Sequence, residues 1–208
     1  MTMIQGSPEW IAARLGKVTA SRIADVCART KTGWGASRAN YMAELVAERL
    51  TGKPADRYTN DAMQWGVATE AEARTAYEFV HDCEVELCGF IEHPTIPMSG
   101  ASPDGLVDDD GLVEIKCPNT ATHLDTLLLK AIPGKYILQM QWQMACTGRK
   151  WADFVSYDPR LPEPMRLFVE RISYVDKLTL ETDVRQFLSE LDTKIDALDK
   201  IYSFKAAP

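Results

Sequence analysis

The chain contains no apolar run approaching the ~18 residues that a membrane span requires, so nothing in it predicts a transmembrane helix. Residues 1–8 carry neither a basic n-region nor an apolar h-region, which predicts a chain made without a signal peptide. Five cysteines stand at positions 27, 83, 88, 117 and 146, and no Cys-x-x-Cys occurs among them. That odd, scattered set predicts neither a disulfide framework nor a zinc ribbon, and reduced thiols in a cytoplasm are its simplest reading. His81, His93 and His123 have no metal-ligand spacing and read as incidental. Cations are in deficit: 23 Lys and Arg face 30 Asp and Glu, for a net charge of −7. A protein that simply coats nucleic acid would be basic overall. An enzyme with a local basic groove and carboxylates offset by metal ions would not need to be.

What is present is an ordinary globular balance, with 46% apolar and 25% charged residues over 208 positions. No repeat, low-complexity tract or long linker divides it, and the reading is one domain over residues 1–208. Ser7-Pro8-Glu9-Trp10 predicts a helix start with Ser as N-cap and Pro at N1. Thr19-Ala20-Ser21 opens a second short helix, and residues 29–37 read as a polar, glycine-containing basic loop. Helices are predicted over roughly 38–51, stopped by Gly52 and Pro54, and from Asn60-Asp61 to about His81. Strands are predicted over 84–93, 100–107 and 112–116, then helices around 120–131 and over 136–147, strands over 151–157 and 166–172, and a long helix from about 175 to 204. The apolar stripe of that last helix reads as core or subunit interface. The whole is an α/β architecture, a mixed central sheet flanked by helices.

The chemistry concentrates between Ser102 and Pro118. Asp104 is followed ten residues later by Glu114-Ile115-Lys116, across the turn Asp108-Asp109-Asp110-Gly111. A hairpin turning near Asp109 brings Asp104 opposite Glu114, give or take one residue, with Cβ atoms about 5 Å apart. The two-residue period of a strand sends Glu114 and Lys116 to one face and Ile115 to the other. Two carboxylates so placed repel unless a cation joins them. Mg²⁺ or Mn²⁺ suits oxygen ligands, and Lys116 can then polarise a water for attack on a phosphodiester. The plainer reading is a hairpin turn with an exposed Glu-x-Lys face, and these residues alone do not separate the two. A calcium loop is excluded, because with Gly111 at its sixth position Leu106 and Cys117 would fall where carboxylates are required.

Ser102-Pro103-Asp104-Gly105 followed by Glu114-Ile115-Lys116-Cys117-Pro118 resembles the phage lambda exonuclease (YqaJ-type viral recombinase) family of PD-(D/E)xK nucleases. Four more blocks resemble that family in the same order: Trp10-x3-Arg14-x-Gly16-x-Val18-Thr19-Ala20-Ser21; Trp65-Gly66-x3-Glu70 with Ala73-Arg74; Tyr136-x2-Gln139-x-Gln141; and Tyr157-Asp158-Pro159-Arg160. Each block is weak alone; the ordered set is specific and spans nearly the whole chain.

The resemblance implies a restriction-endonuclease-like core. It implies metal ligation by Asp104, Glu114, the Ile115 carbonyl and Glu70, with Lys116 as catalytic lysine. It places Arg14, Ser21, Ser102 and Gln139 on a terminal 5′-phosphate or the adjacent backbone. Met63 matches an apolar strand wedge and Lys31 a contact to duplex DNA. The implied cofactor is Mg²⁺, two ions, with Mn²⁺ as a substitute. The implied activity is 5′-to-3′ digestion of linear double-stranded DNA to mononucleotides, leaving a 3′ single strand for annealing recombination. A homotrimeric ring and a single-strand annealing protein are the implied partners. An endonuclease on the same core and a non-catalytic DNA-end scaffold are the competing functions.

Plainer roles stand beside these. Arg14 is a surface ion-pair candidate and Ser21 a helix cap. Glu70 and Glu72 share an acidic stretch in which either reads as solvated surface. Met63 reads as helix packing and Lys31 as a solvated loop residue. Of Gln139, Gln141 and Gln143, only the first and last share a helix face.

Overall fold

The structure is a computed structural model that describes residues 3–55, 61–175 and 178–202, apart from a few side chains within the helices. The chain opens with helix α1 (Pro8–Arg14), strand β1 (Val18–Thr19), a 3-10 turn (Ala20–Arg22) and α2 (Ile23–Val26). A small hairpin, β2 (Arg29–Thr30) and β3 (Gly33–Trp34), precedes α3 (Ala36–Thr51) and α4 (Asp61–His81). Five strands follow: β4 (Val85–Glu86), β5 (Ile91–Glu92), β6 (Ser99–Ala101), β7 (Gly105–Val107) and β8 (Gly111–Lys116). Helices α5 (Thr120–Leu129) and α6 (Gly134–Thr147), strands β9 (Trp151–Tyr157) and β10 (Leu167–Ser173), and helix α7 (Leu178–Tyr202) complete it.

The central sheet is mixed and has the order β10-β9-β8-β7-β4, with β8 and β9 parallel and the other pairs antiparallel. A second sheet has the order β1-β6-β5. Local chemistry sets several element ends. The Ser7 hydroxyl accepts the Trp10 N–H, with Pro8 at the first helical position. Left-handed Gly52 and Gly148 close α3 and α6.

Three predicted elements differ from the structure. The stretch 84–93 is not one strand: β4 joins the central sheet and β5 the other. Between them the chain leaves the sheet, with Met3 packed on Gly89 and the Gln5 amide donating to the Cys88 carbonyl. The stretch 100–107 likewise divides into β6 and β7 at Ser102-Pro103-Asp104, where Pro103 has no N–H to extend a ladder. The predicted loop 29–37 contains the β2–β3 hairpin. Trp34 is held there between the Arg29 and Arg38 guanidiniums, 3.9 and 4.0 Å from its ring centre.

Period-two alternation along β8 sorts its side chains between two helices. Val113 and Ile115 pack with Ala73 and Tyr77 of α4, and with Val155 and Tyr157 of β9. Leu112 faces Met140 and Met144 of α6 with Phe154 of β9. Glu114, two residues beyond Leu112, lies on the α6 side and is fully buried. A further core joins α2, α3 and α7 through Tyr41, Leu45, Val184, Phe187 and Leu191. The buried stripe of α7 therefore packs within this chain, whereas Ile201 and Tyr202 at its end are exposed.

Gly105 opens β7 directly after Asp104, and a Cβ there would come within 2.0 Å of Val85 Cγ1. Gly105→Ala is expected to cost about 1–3 kcal/mol of overpacking, read as a lowered urea midpoint with an unchanged m-value.

Candidate active site

The β7–β8 pairing aligns Gly105 with Val113 and Leu106 with Leu112, which brings the residue before Gly105 alongside Glu114. The ladder ends there in a side-chain contact, the Ile115 N–H donating to Asp104 Oδ2 at 2.7 Å. Lys116 reaches back over the same point. Its ammonium contacts Glu114 Oε1, donates to the Ile115 carbonyl at 3.1 Å and lies 3.8 Å from Asp104 Oδ2. One cationic centre thus gathers two carboxylates and a main-chain carbonyl, a hard oxygen donor set of the kind a divalent cation takes.

The electrostatics follow from burial and crowding. Burial, with the Glu114 charge beside it, pushes the Asp104 carboxyl up to about 8. Burial disfavours the Lys116 ammonium, but Glu114 and Asp104 outweigh it and its pKa is raised. Glu70, on α4, is also raised, first by burial, with Lys116 and Arg74 opposing. It lies 3.8 Å from Arg74 one turn on. Glu70 thus shares the field of the cluster, while Glu72 hydrogen-bonds the Tyr157 hydroxyl at 2.8 Å. Among the described residues no three His, Cys, Asp or Glu side chains stand close enough together to form a metal cluster by themselves. The tight group consists of Asp104, Glu114 and the Ile115 carbonyl, and Glu70 borders it.

Gln139 and Gln143, one turn apart on α6, face Glu114. Gln139 Nε2 donates to Oε1 and Gln143 Nε2 to Oε2, each at 2.5 Å. Gln139, matched in sequence to DNA contact, thus has an amide hydrogen on this carboxylate.

A second group forms around Trp10. Its indole N–H donates to Ser102 Oγ at 2.9 Å, and the Arg14 guanidinium lies 3.7 Å over its ring. Ser102 leads into Asp104, so this group connects directly to the carboxylates. Strands β1 and β6 are parallel with Thr19 opposite Gly100, so Ser21 and Ser102 each lie two residues beyond that pair on the same side. Ser21 is exposed, its hydroxyl 3.3 Å from that of Thr19. Lys31 is exposed at the tip of the β2–β3 hairpin. Met63 falls within α4, but its side chain lies outside the described residues. The motif reading named Trp10 without giving it a part; its tie to Ser102 spans 92 residues of sequence.

The last motif block forms a buttress beside the cluster. Fully buried Asp158 accepts from Thr120 Oγ1 at 2.7 Å and from Arg160 Nε at 2.7 Å, while Arg160 lies over Trp65 at 4.4 Å.

A mixed sheet between helices, with an Asp at the start of one strand and Glu-x-Lys on the next converging on one point, defines the PD-(D/E)xK class of nuclease folds. The model of the YqaJ-like viral recombinase domain matches residues 9–150, and the chain belongs to that family. Two crystal structures of LHK-Exo, an alkaline exonuclease from Laribacter hongkongensis, are 53% identical, cover 95% of this chain and 98% of theirs, and superpose with TM-scores of 0.89 and 0.88. A phage-related exonuclease from Haemophilus somnus 129PT shares the fold, at 17% identity and a TM-score of 0.70 over 88% of this chain and 95% of its own. Comparison with curated proteins finds no match.

Hydrogen bonds from Arg160 and Thr120 hold the Asp158 carboxyl down at about 2. Because the folded pKa lies below the ordinary value, its stabilisation is complete above pH ~4 and is lost as pH falls toward ~2. With Arg160 half exposed, the contribution is about 1 kcal/mol. Asp158→Asn should lower the melting temperature at pH 6 and flatten its acid dependence between pH ~4 and ~2.

Proposed function

We propose that the chain is a divalent-metal-dependent exonuclease that degrades linear double-stranded DNA from 5′ ends. The observation that carries this reading is the convergence of Asp104, Glu114 and the Ile115 carbonyl on the Lys116 ammonium. The donor set suits Mg²⁺, with Mn²⁺ as a substitute. Asp104, Glu114 and the Ile115 carbonyl would hold the ion, with Glu70 at the edge of its field and able to complete a site for a second. When bound, such an ion supplies an activated water and neutralises charge that builds on the phosphate in the transition state.

The protein groups do the rest. Lys116, held by Glu114 and Asp104, stays protonated and directs a hydrogen-bond donor at the reacting phosphate. Ser102 accepts the Trp10 indole N–H, which leaves its own hydroxyl hydrogen to donate. Arg14, its guanidinium over the Trp10 ring, has a planar fork of donors of the kind that suits phosphate. With Ser21 they form a pocket for a terminal 5′-phosphate, which sets the next phosphodiester beside the carboxylates. Gln139 holds Glu114 through its amide, and in this reading it also meets the backbone beside the terminal phosphate. LHK-Exo was crystallised with dAMP, a nucleoside monophosphate, and this supports release of mononucleotides here.

The family supports the wider setting: one domain, a homotrimeric ring around DNA and a single-strand annealing protein that takes the exposed 3′ strand, in the cytoplasm of a bacterial host. Met63 is the strand wedge and Lys31 a duplex contact in this reading. No helix among the described residues is long and apolar enough to cross a membrane.

The test is digestion of linear duplexes bearing 5′-phosphate or 5′-hydroxyl ends, and of closed circles, with Mg²⁺. Loss of the phosphorylated strand from its 5′ end, intact circles and a drop of about 10²–10⁴-fold on Lys116→Ala are expected. Cutting of circles would make the protein an endonuclease, and no Lys116-dependent cutting would make it a DNA-end scaffold. Trp10→Phe retains the surface under Arg14 but loses the donor to Ser102. Its preference for 5′-phosphate over 5′-hydroxyl ends should fall about 5- to 10-fold, the worth of one hydrogen bond.

A further inference from the structure

Glu114 has no solvent contact. An ionised carboxylate in that position needs a donor for each oxygen, and the sources differ in kind. Oε1 meets the Lys116 ammonium and the Gln139 amide, toward Asp104 and the Ile115 carbonyl. Oε2 points the other way, to the fully buried Gln143 amide at 2.5 Å. Gln143 is held in turn. Its backbone is fixed: Met140 and Met144 pack on the central sheet on either side of it, its main-chain carbonyl accepts from Thr147 Oγ1 at 2.8 Å, and Gly148 closes the helix. A neutral amide satisfies the oxygen without a positive charge that would compete with an incoming cation.

We infer that Gln143 is a positioning residue for the metal site: by holding Glu114 Oε2 it keeps Oε1 on the side of Lys116, Asp104 and the Ile115 carbonyl and sets the affinity for the divalent cation. The inference rests on the metal-dependent reading above and adds a residue that the family motif does not include. Partners that orient a ligating group are worth about 10- to 100-fold in metal affinity.

Helix α6 contains its own control. Gln141 is also buried, but it faces away from Glu114, donating to the Ser173 carbonyl and accepting from the Val175 N–H, both at 2.9 Å. Gln143→Met and Gln141→Met therefore each remove one buried amide from the same helix, and only the first touches Glu114. Gln143→Leu is the second variant, should Gln143→Met fold poorly.

The measurement is Mn²⁺ binding to the purified full chain without DNA, by calorimetry and by loss of the free-ion EPR signal, with melting temperatures alongside. Expected are 10- to 100-fold weaker binding for Gln143→Met, wild-type affinity for Gln141→Met, and a lowered melting temperature for both. In DNA digestion the Gln143 variant should need more Mg²⁺ yet approach the wild-type rate at saturation. Wild-type affinity in both Gln143 variants would overturn the inference, as would equal weakening by Gln141→Met. A wild-type chain that binds Mn²⁺ no better than Glu114→Gln would instead overturn the metal-dependent reading itself.

Discussion

Placing an ionised carboxylate at the centre of a sheet, away from water, costs several kcal/mol unless donors surround it. Much of the architecture around β8 answers that cost at Glu114. Two amides approach from α6, an ammonium from the same strand, and the flanking positions Leu112, Val113 and Ile115 bury apolar surface on both sides. Oε1 has two of these donors and Oε2 one, so loss of the Gln143 amide would leave a buried oxygen without its donor. The same constraint keeps the carboxylate oriented, and a ligand that must not wander is what a metal site needs.

The neighbouring groups form a graded series. Asp104 is tied to the backbone of Ile115 and raised toward neutrality by burial first and then by its acidic neighbour. Glu70 stands on a different helix, balanced between Arg74 and Lys116. Carboxylates held at different depths and with different partners hold their charges with different tenacity. Beside them the Trp10–Ser102–Arg14 group is built from neutral hydrogen-bonding groups and one guanidinium.

The site was legible in sequence wherever local period and register decided it. The turn at Asp109 aligned Asp104 with Glu114, strand alternation grouped Glu114 with Lys116, and helical spacing joined Gln139 to Gln143 while setting Gln141 aside. What sequence did not disclose depends on distant partners. Glu114 reads as an exposed strand residue until α6 covers it. Glu70 and Glu72 are alike on paper; Tyr157 of β9 takes Glu72, while Glu70 lies in the field of Lys116 and Arg74. The breaks at Cys88–Phe90 and Ser102–Asp104 divide what look like continuous strands, because the chain changes sheets there and local propensity does not register that. The β2–β3 hairpin owes its place to Trp34 lodged between two arginines, one of them on α3.

Helix α7 gives the chain's charge a different meaning. Three of its acids, Asp183, Glu190 and Asp192, pair with Arg29, Arg38 and Arg49 at 2.7, 2.5 and 2.6 Å. These arginines are already neutralised within the fold and have little charge to offer a phosphate backbone. The counterions displaced when DNA binds are set by the cations that remain. A count of basic residues therefore overstates the positive charge this part of the fold has free for a phosphate backbone.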